Sequence, residues 1–442
     1  MLLSNQSNAK KTKVRWNIAL LMWLAISINY IDRTNLSAAT PIIMKQFHIS
    51  PDMMGIILSA FFWPYALLQV PAGWFSDKIG QRVCLTISVA WWSIATIATA
   101  FIRGVGSLFA TRFFMGIGES SAFPSCAGVT ARWFPDKERG KVSAIYDSGT
   151  KIGTAVAMPG VVWLLSRFGW QAPFIISGLL GLIWAVIWWL YYRDPEKHKY
   201  ANQAEVDYIR DGQMKKEGVD QTQPIKWYQL LRYRNIWAMC IGFTAFTFVM
   251  YFFITWFPTY LVQEQGMSLL NMGFVAMIPP LTGFVAELIG GWLTDYLYMK
   301  GLSLSVARKI NLVGGMLLAT SIAFAAIVHS TVLAVVLFSL SYAGLEIAAA
   351  AIMALPGDVA PKNMTSIVFG LQNAVSNLGG ALAPIVVGLI IAKTHSFVLT
   401  LLFSGVITLI GAITYLFWLG KVEPIDVEKK KDNRSPLSKT VK

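Results

Sequence analysis

The chain has 442 residues, of which 55% are hydrophobic and only 14% charged. A soluble domain carries about 25% charged residues, so much of this surface is built to avoid water. The net charge of +14 would suggest nucleic acid in a soluble protein, but its distribution along this chain excludes that partner. Cys84, Cys126 and Cys240 stand in or beside apolar segments at unrelated spacings, which suggests neither a disulfide framework nor a metal cluster. His48, His198, His329 and His395 all fall in or near loops, and no cofactor is implied.

Crossing a bilayer takes about 20 apolar residues in a helix. In chain order, the apolar runs predict twelve spans, at 17–42, 52–75, 82–102, 106–131, 141–166 and 171–192, then 234–262, 270–296, 307–328, 332–355, 364–392 and 396–420. The segment before residue 17 leads into a span too long for a signal-peptide core and has no small-residue cleavage site, which predicts a retained first helix. The longest polar stretch lies between the sixth and seventh spans. The expected organisation is an all-α membrane protein: a six-helix bundle over 1–192, a cytoplasmic central loop over 193–233, and a second six-helix bundle with a basic tail over 234–442. With a cytoplasmic N-terminus, most of the 37 Lys and Arg face inward; Lys45, Arg103, Arg167 and Lys393 face outward. By the positive-inside rule both termini are cytoplasmic, so the charge surplus is a topology signal.

"AGWFSDKIGQR" (72–82) follows the second span, and "GGWLTDYLYMK" (290–300) follows the second span of the other half. This recurrence predicts an internal duplication into two pseudo-symmetric bundles, an architecture that places a transport site between repeats. Gly73 is expected to let helices pack closely. Asp77 is expected to cap a helix or pair with Arg82, and Asp295 stands at the matching position, a set that would latch one access state.

The "GWFSDKIGQR" segment resembles the signature between the second and third helices of the major facilitator superfamily, with Gln81 where a basic residue is usual. "YIDRTN", "SAFFWPYALLQVPAGW", "GIGESSAFPS", "ARWFPDKERGK" and "TWFPTYL" resemble its anion:cation symporter family, whose bacterial members import sugar acids: hexuronates, aldonates and aldarates. The resemblance implies proton-coupled uptake of an organic anion through a bacterial plasma (inner) membrane.

Ionisable groups inside the bilayer are costly and mark function. Asp32 in "YIDR" and Glu119 in "GIGE" match acidic positions that the family associates with proton coupling. Arg33, adjacent to Asp32, matches the arginine implicated in holding the substrate anion, a task suited to a guanidinium. Arg112 and Glu119 lie seven apart on one helix face and could neutralise each other; Asp147 and Lys151 are i,i+4 neighbours. Lys151 either pairs with Asp147 or serves as a second anion anchor, where other sugar-acid carriers are uncharged. Tyr30, Tyr65, Gln372 and Asn373 are candidates for sugar hydroxyls, and Tyr30, Tyr65 and Asn373 match the family's cavity lining. Glu346, among alanines in the tenth span, departs from the sugar-acid pattern. No nucleotide-binding loop, catalytic constellation or channel filter is present, so an enzyme, pump or channel is not expected. The protein is expected to be monomeric; the alternative function is an exchanger of organic anions or phosphate esters without proton coupling.

Overall fold

The computed structural model describes residues 11–213, 227–361 and 364–425. Most of the basic C-terminal tail and residues 214–226 of the central loop lie outside the described residues. Helices α1 (Val14–Phe47), α2 (Pro51–Ala60), α3 (Phe62–Ile79), α4 (Gln81–Thr99), α5 (Val105–Glu119), α6 (Ala122–Trp133), α7 (Asp136–Ala155), α8 (Ala157–Phe168) and α9 (Gln171–Tyr191) are followed by the short α10 (Gln203–Asp211). Next come α11 (Arg234–Thr255), α12 (Phe257–Gln263), α13 (Leu269–Ala276), α14 (Ile278–Met299) and α15 (Leu304–Ala319). The last four are α16 (Ser321–Phe324), α17 (Thr331–Val359), α18 (Thr365–Thr394) and α19 (Val398–Ile413). No strand occurs among the described residues.

Ten stretches among the described residues are long and apolar enough to span a bilayer. The two other expected spans coincide with the broken pairs α5/α6 and α7/α8. The breaks have a common cause. A proline within a helix removes one hydrogen bond and crowds the carbonyl four residues back. Pro64, Pro124, Pro159 and Pro280 sit four residues beyond Ala60, Ser120, Ala155 and Ala276, where one helix ends and the next begins. Pro41, Pro356 and Pro384, by contrast, are carried inside continuous helices.

Large apolar side chains such as Leu67, Val70, Trp74 and Phe417 remain exposed, as a lipid-facing surface requires. Within each adjacent pair of tryptophans one is buried and one exposed: Trp92 and Trp188 point inward, Trp91 and Trp189 outward.

By their contacts the described residues form two units, one from 1–222, 251–281 and 381–397, the other from 223–250, 282–380 and 398–442. In the first unit, α1 lies against α7 through Gly149 and Gly153, where a Cβ would collide with main-chain oxygens of Trp23 and Ser27. Gly178 and Gly181 of α9 close on Ser93 and Ile97 of α4 in the same way. In the second unit, Gly315 of α15 and Gly344 of α17 meet backbone to backbone. Such small-residue seams are how helices pack when lipid removes the hydrophobic drive between them.

Candidate functional site

Four intramembrane ionisable residues, Asp32, Arg33, Arg112 and Glu119, converge inside the first unit. Asp32 and Arg33 occupy successive positions of α1, about 100° apart around its axis, so they meet different neighbours. Arg33 is turned toward α5. Its Nε donates to Oε2 of Glu119 at 2.9 Å, and Nη2 lies 2.8 Å from the same oxygen. Rings of Tyr30, Phe61 and Tyr65 surround the guanidinium at 4.6, 4.6 and 4.9 Å, a cation–π wall on three sides. Tyr251 adds its phenol to this wall and packs edge-on against Phe62 at 4.3 Å.

Asp32 is fully buried on the other side of α1. The hydroxyls of Ser177 on α9 and Thr96 on α4 act on its carboxylate, as do Glu119 and Arg112, but neither oxygen reaches good hydrogen-bond geometry. The amide of Asn35, one turn further along α1, donates to Ser177 Oγ at 2.7 Å and fixes that hydroxyl. Arg112 stands two turns before Glu119 on α5. Its guanidinium lies 5.4 Å from the Phe61 ring and directs Nη1 to the Met115 sulfur at 2.9 Å, while Nε has no hydrogen-bond partner.

The result is two carboxyl groups and two guanidiniums, all buried, whose formal charges balance. Both arginines line one cavity of about 20 Å³, walled by Phe61, Phe62 and Thr255. That is room for one water.

Tyr30, Asp32, Arg33, Tyr65 and Glu119 are thus brought together by the fold. Lys151 lies two residues from both Gly149 and Gly153, on the α7 face opposite the one that meets α1, with Nζ 3.8 Å from Asp147 Oδ2. Gln372 is buried on α18 in the second unit and donates to the Ile352 carbonyl at 3.3 Å; Asn373, beside it, accepts from Ser376 and Asn377 at its carbonyl. Glu346 is buried on α17 of the same unit, beside Gly283.

Two expectations need correction. The cation held by Glu119 is Arg33 rather than Arg112, because α5 presents Glu119 to α1 while Arg112 bends back on Met115. Nor does Gly73 serve a tight helix approach: a Cβ there would meet Pro124 at 3.6 Å, an ordinary contact, and matching Gly291 has open space. Gly290, one residue earlier, is the closely packed one, against Ile347 of α17. Arg82 reaches the Trp189 carbonyl at 2.6 Å from Nη2, whereas Asp77 and Asp295 are exposed. Sequence reasoning also passed over Arg112 and Tyr251 as site residues. The seven-residue spacing of Arg112 and Glu119 was a usable signal for the first; nothing in the sequence singles out Tyr251. Among the described residues no group of three His, Cys, Asp or Glu side chains could hold a metal ion.

The Major Facilitator Superfamily profile matches residues 22–384 and 304–442. The chain belongs to that superfamily. It is 36% identical over 437 residues to a probable galactarate/D-glucarate transporter of Bacillus subtilis, covering 96% of each chain. It is 35% identical to a D-galactonate transporter of Escherichia coli over 94% of this chain and 98% of that one. A probable sulfoacetate transporter of Cupriavidus necator is 31% identical, with 92% and 94% covered. The fold matches a bacterial homologue of the human lysosomal transporter Spinster, solved inward-facing and unoccupied, with a TM-score of 0.77, 19% identity, and 93% and 98% coverage. The superfamily and these relatives are transporters, so this chain is a multi-pass membrane transporter and not an enzyme.

Proposed function

We propose that the protein imports a sugar acid, an aldonate or aldarate, together with protons, by alternating access. The observation that carries this reading is the pair formed by Arg33 with Glu119 inside a balanced cluster. A substrate carboxylate that enters beside Arg33 meets a carboxylate already in place. Two anions on one guanidinium in a low-dielectric site repel strongly. If Glu119 takes a proton as the anion arrives, the charge balance is kept and Arg33 passes from Glu119 to the substrate. Asp32 supplies a second protonation site, with Arg112 as its nearby cation.

The same balance governs the membrane crossing. An inside-negative potential opposes anion entry by about 2.3 kcal/mol per charge per 100 mV. One proton neutralises an aldonate; a doubly ionised aldarate takes two, one on each of Asp32 and Glu119. The names of the relatives support this substrate class. Tyr30 and Tyr65 offer hydroxyls beside Arg33, and Lys151, Gln372 and Asn373 are proposed as further substrate contacts. The Asp77, Arg82 and Asp295 set is proposed as the latch of one access state.

In this reading the chain forms twelve spans in two six-helix bundles, 1–192 and 234–442, joined by the loop 193–233, and works as a monomer in the inner membrane with both termini cytoplasmic. Calorimetric binding of glucarate and galactonate in buffers of different ionisation enthalpy tests the central step. Uptake of about one proton per bound galactonate is expected. Binding with no proton uptake at any pH would overturn it in favour of exchange.

A further inference from the structure

The central loop is the longest polar stretch of the sequence, and the described residues of its first half carry a polar network that ties it to α1 and α7. Asn202 caps α10 by accepting from Glu205 N at 3.0 Å, and it holds the Thr12 main chain at 3.3 Å. Glu205, on the first turn of α10, is fully buried and spends both carboxylate oxygens on the start of α1. Oε2 accepts from Val14 N at 3.2 Å and from Thr12 Oγ1; Oε1 accepts from Arg15 N at 3.3 Å and from Arg15 Nη1 at 2.8 Å. The open N–H groups of a helix start and its dipole favour a carboxylate there. No side chain of α1's own flanking residue does this job, since Lys13 provides no cap.

The same network reaches α7. Arg15 Nε donates to Glu138 Oε2 at 3.1 Å, and the Tyr208 hydroxyl of α10 donates to Glu138 Oε1 at 2.7 Å. Lys11 stands over the Tyr208 ring at 3.6 Å. Past the C-terminus of α10, the Gly212 carbonyl accepts from Asp136 N at 2.9 Å, the first residue of α7, and Gln213 donates to the Ala131 carbonyl. One nine-residue helix therefore binds the cytoplasmic starts of both α1 and α7.

We propose that α10 is a clasp that makes α1 and α7 move as one body, and that Glu205 is a positioning residue for the Asp32–Arg33 pair. The lever is α1 itself. From Val14 to Asp32 an unbroken helix runs 18 residues, about 27 Å at 1.5 Å per residue, so a shift at its start is carried to the cluster. The Gly149 and Gly153 seam fixes the side-to-side distance of α1 and α7, while sliding along the axis is opposed by the Arg15–Glu138 ion pair, whose two partners α10 holds through Glu205 and Tyr208. The kinetic part of the proposal rests on the transport function proposed above, whereas the clasp itself does not.

Two readouts on full-length protein test it: hydrogen exchange in lipid nanodiscs, and glucarate uptake into proteoliposomes, normalised to folded transporter. Glu205→Ala is expected to speed exchange of the first turns of α1 and α7 at least tenfold and to lower turnover about tenfold, with half-saturating glucarate within twofold of wild type. A merely structural residue would lower the folded fraction and leave turnover per folded molecule unchanged. Glu205→Gln, which keeps an acceptor but loses the charge, and Tyr208→Phe, which removes only the Glu138 bond, are expected to fall between; they decide the matter if the alanine variant does not fold. Unchanged exchange at α1 would overturn the clasp. Faster exchange with wild-type turnover would overturn the positioning role. If wild-type protein moves no sugar acid, the transport reading fails while the exchange data still decide the clasp.

Discussion

Replacing Glu119 with glutamine removes one of four buried charges while leaving the volume nearly unchanged. Arg33 then keeps an uncharged acceptor in place of the carboxylate oxygen that it now meets at 2.9 and 2.8 Å. Removing one partner of a buried pair costs about 3–5 kcal/mol, because the remaining charge stays buried. The unliganded variant should therefore melt well below wild type. A substrate carboxylate restores the missing charge. A hydrogen bond to a charged group contributes about 1.5–3 kcal/mol net, and each 1.4 kcal/mol is tenfold in affinity. With its competitor gone, the anion should bind roughly tenfold to a hundredfold more tightly at pH 7.5, without the proton uptake seen in wild type. Equilibrium binding of labelled glucarate to purified Glu119→Gln protein measures the affinity, and thermal unfolding with and without glucarate measures the rescue. Weaker binding that still takes up a proton would refute the reasoning, since Glu119 would then be neither the competitor nor the proton site.

Asp32→Asn keeps the shape of the second site, so it should abolish gradient-driven accumulation of aldarate while counterflow persists; loss of both in uptake assays would make Asp32 a structural residue. At Gly116 of α5, a Cβ would run into the Phe61 carbonyl and the Pro64 ring. Gly116→Ala should therefore cost about 1–3 kcal/mol by overpacking, seen as a lower melting temperature, whereas Gly104→Ala, with open space around it, should not. The clasp should also fail in acid. Burial works against ionisation of Glu138, but the Tyr208 hydroxyl and Arg15 outweigh it and hold the carboxyl below its usual range, with Lys137 adding to the effect. A depressed carboxyl stabilises the folded clasp above its unfolded value of about 4.3, and that contribution is lost as pH falls through the lower folded value. Hydrogen exchange at the start of α1, corrected for its intrinsic pH dependence, should be flat from pH 8 to about pH 5 and rise only below about pH 4. His198 behaves alike for another reason: burial among Trp133, Tyr191 and Tyr200 lowers its proton affinity, so its protonation, at a pH below the usual histidine range, should loosen that aromatic box.

The apolar runs revealed the spans because a lipid-facing helix has no way to hide its length, and α4 and α9 fall within a few residues of expectation. The breaks in the second, fourth and fifth spans were legible too, since each sits four residues before a proline, although the spans were read as continuous. Asp32, Arg33 and Glu119 stood out because a charge in an apolar run has few reasons to be there. What joins them did not. Arg33 and Glu119 are 86 positions apart, and no periodicity carries a contact between separate helices. The clasp offered a signal, the Asn202 cap with Glu205 three residues on, but its real target, the start of α1, lies 190 residues upstream. Gly73 misled because recurrence of a motif was read as close packing; its environment is roomy, and the tight glycine of the second copy is Gly290.

The central claim is that anion movement is coupled to protons through the Asp32, Arg33, Arg112 and Glu119 cluster. Its most direct test is uptake of labelled glucarate, galactarate and galactonate into proteoliposomes with and without an inward proton gradient. The account predicts accumulation of at least one of them above its outside concentration only when the gradient is imposed, and none in Arg33→Ala. Equilibration at the same level with and without the gradient, or entry driven solely by preloaded anion, would contradict it.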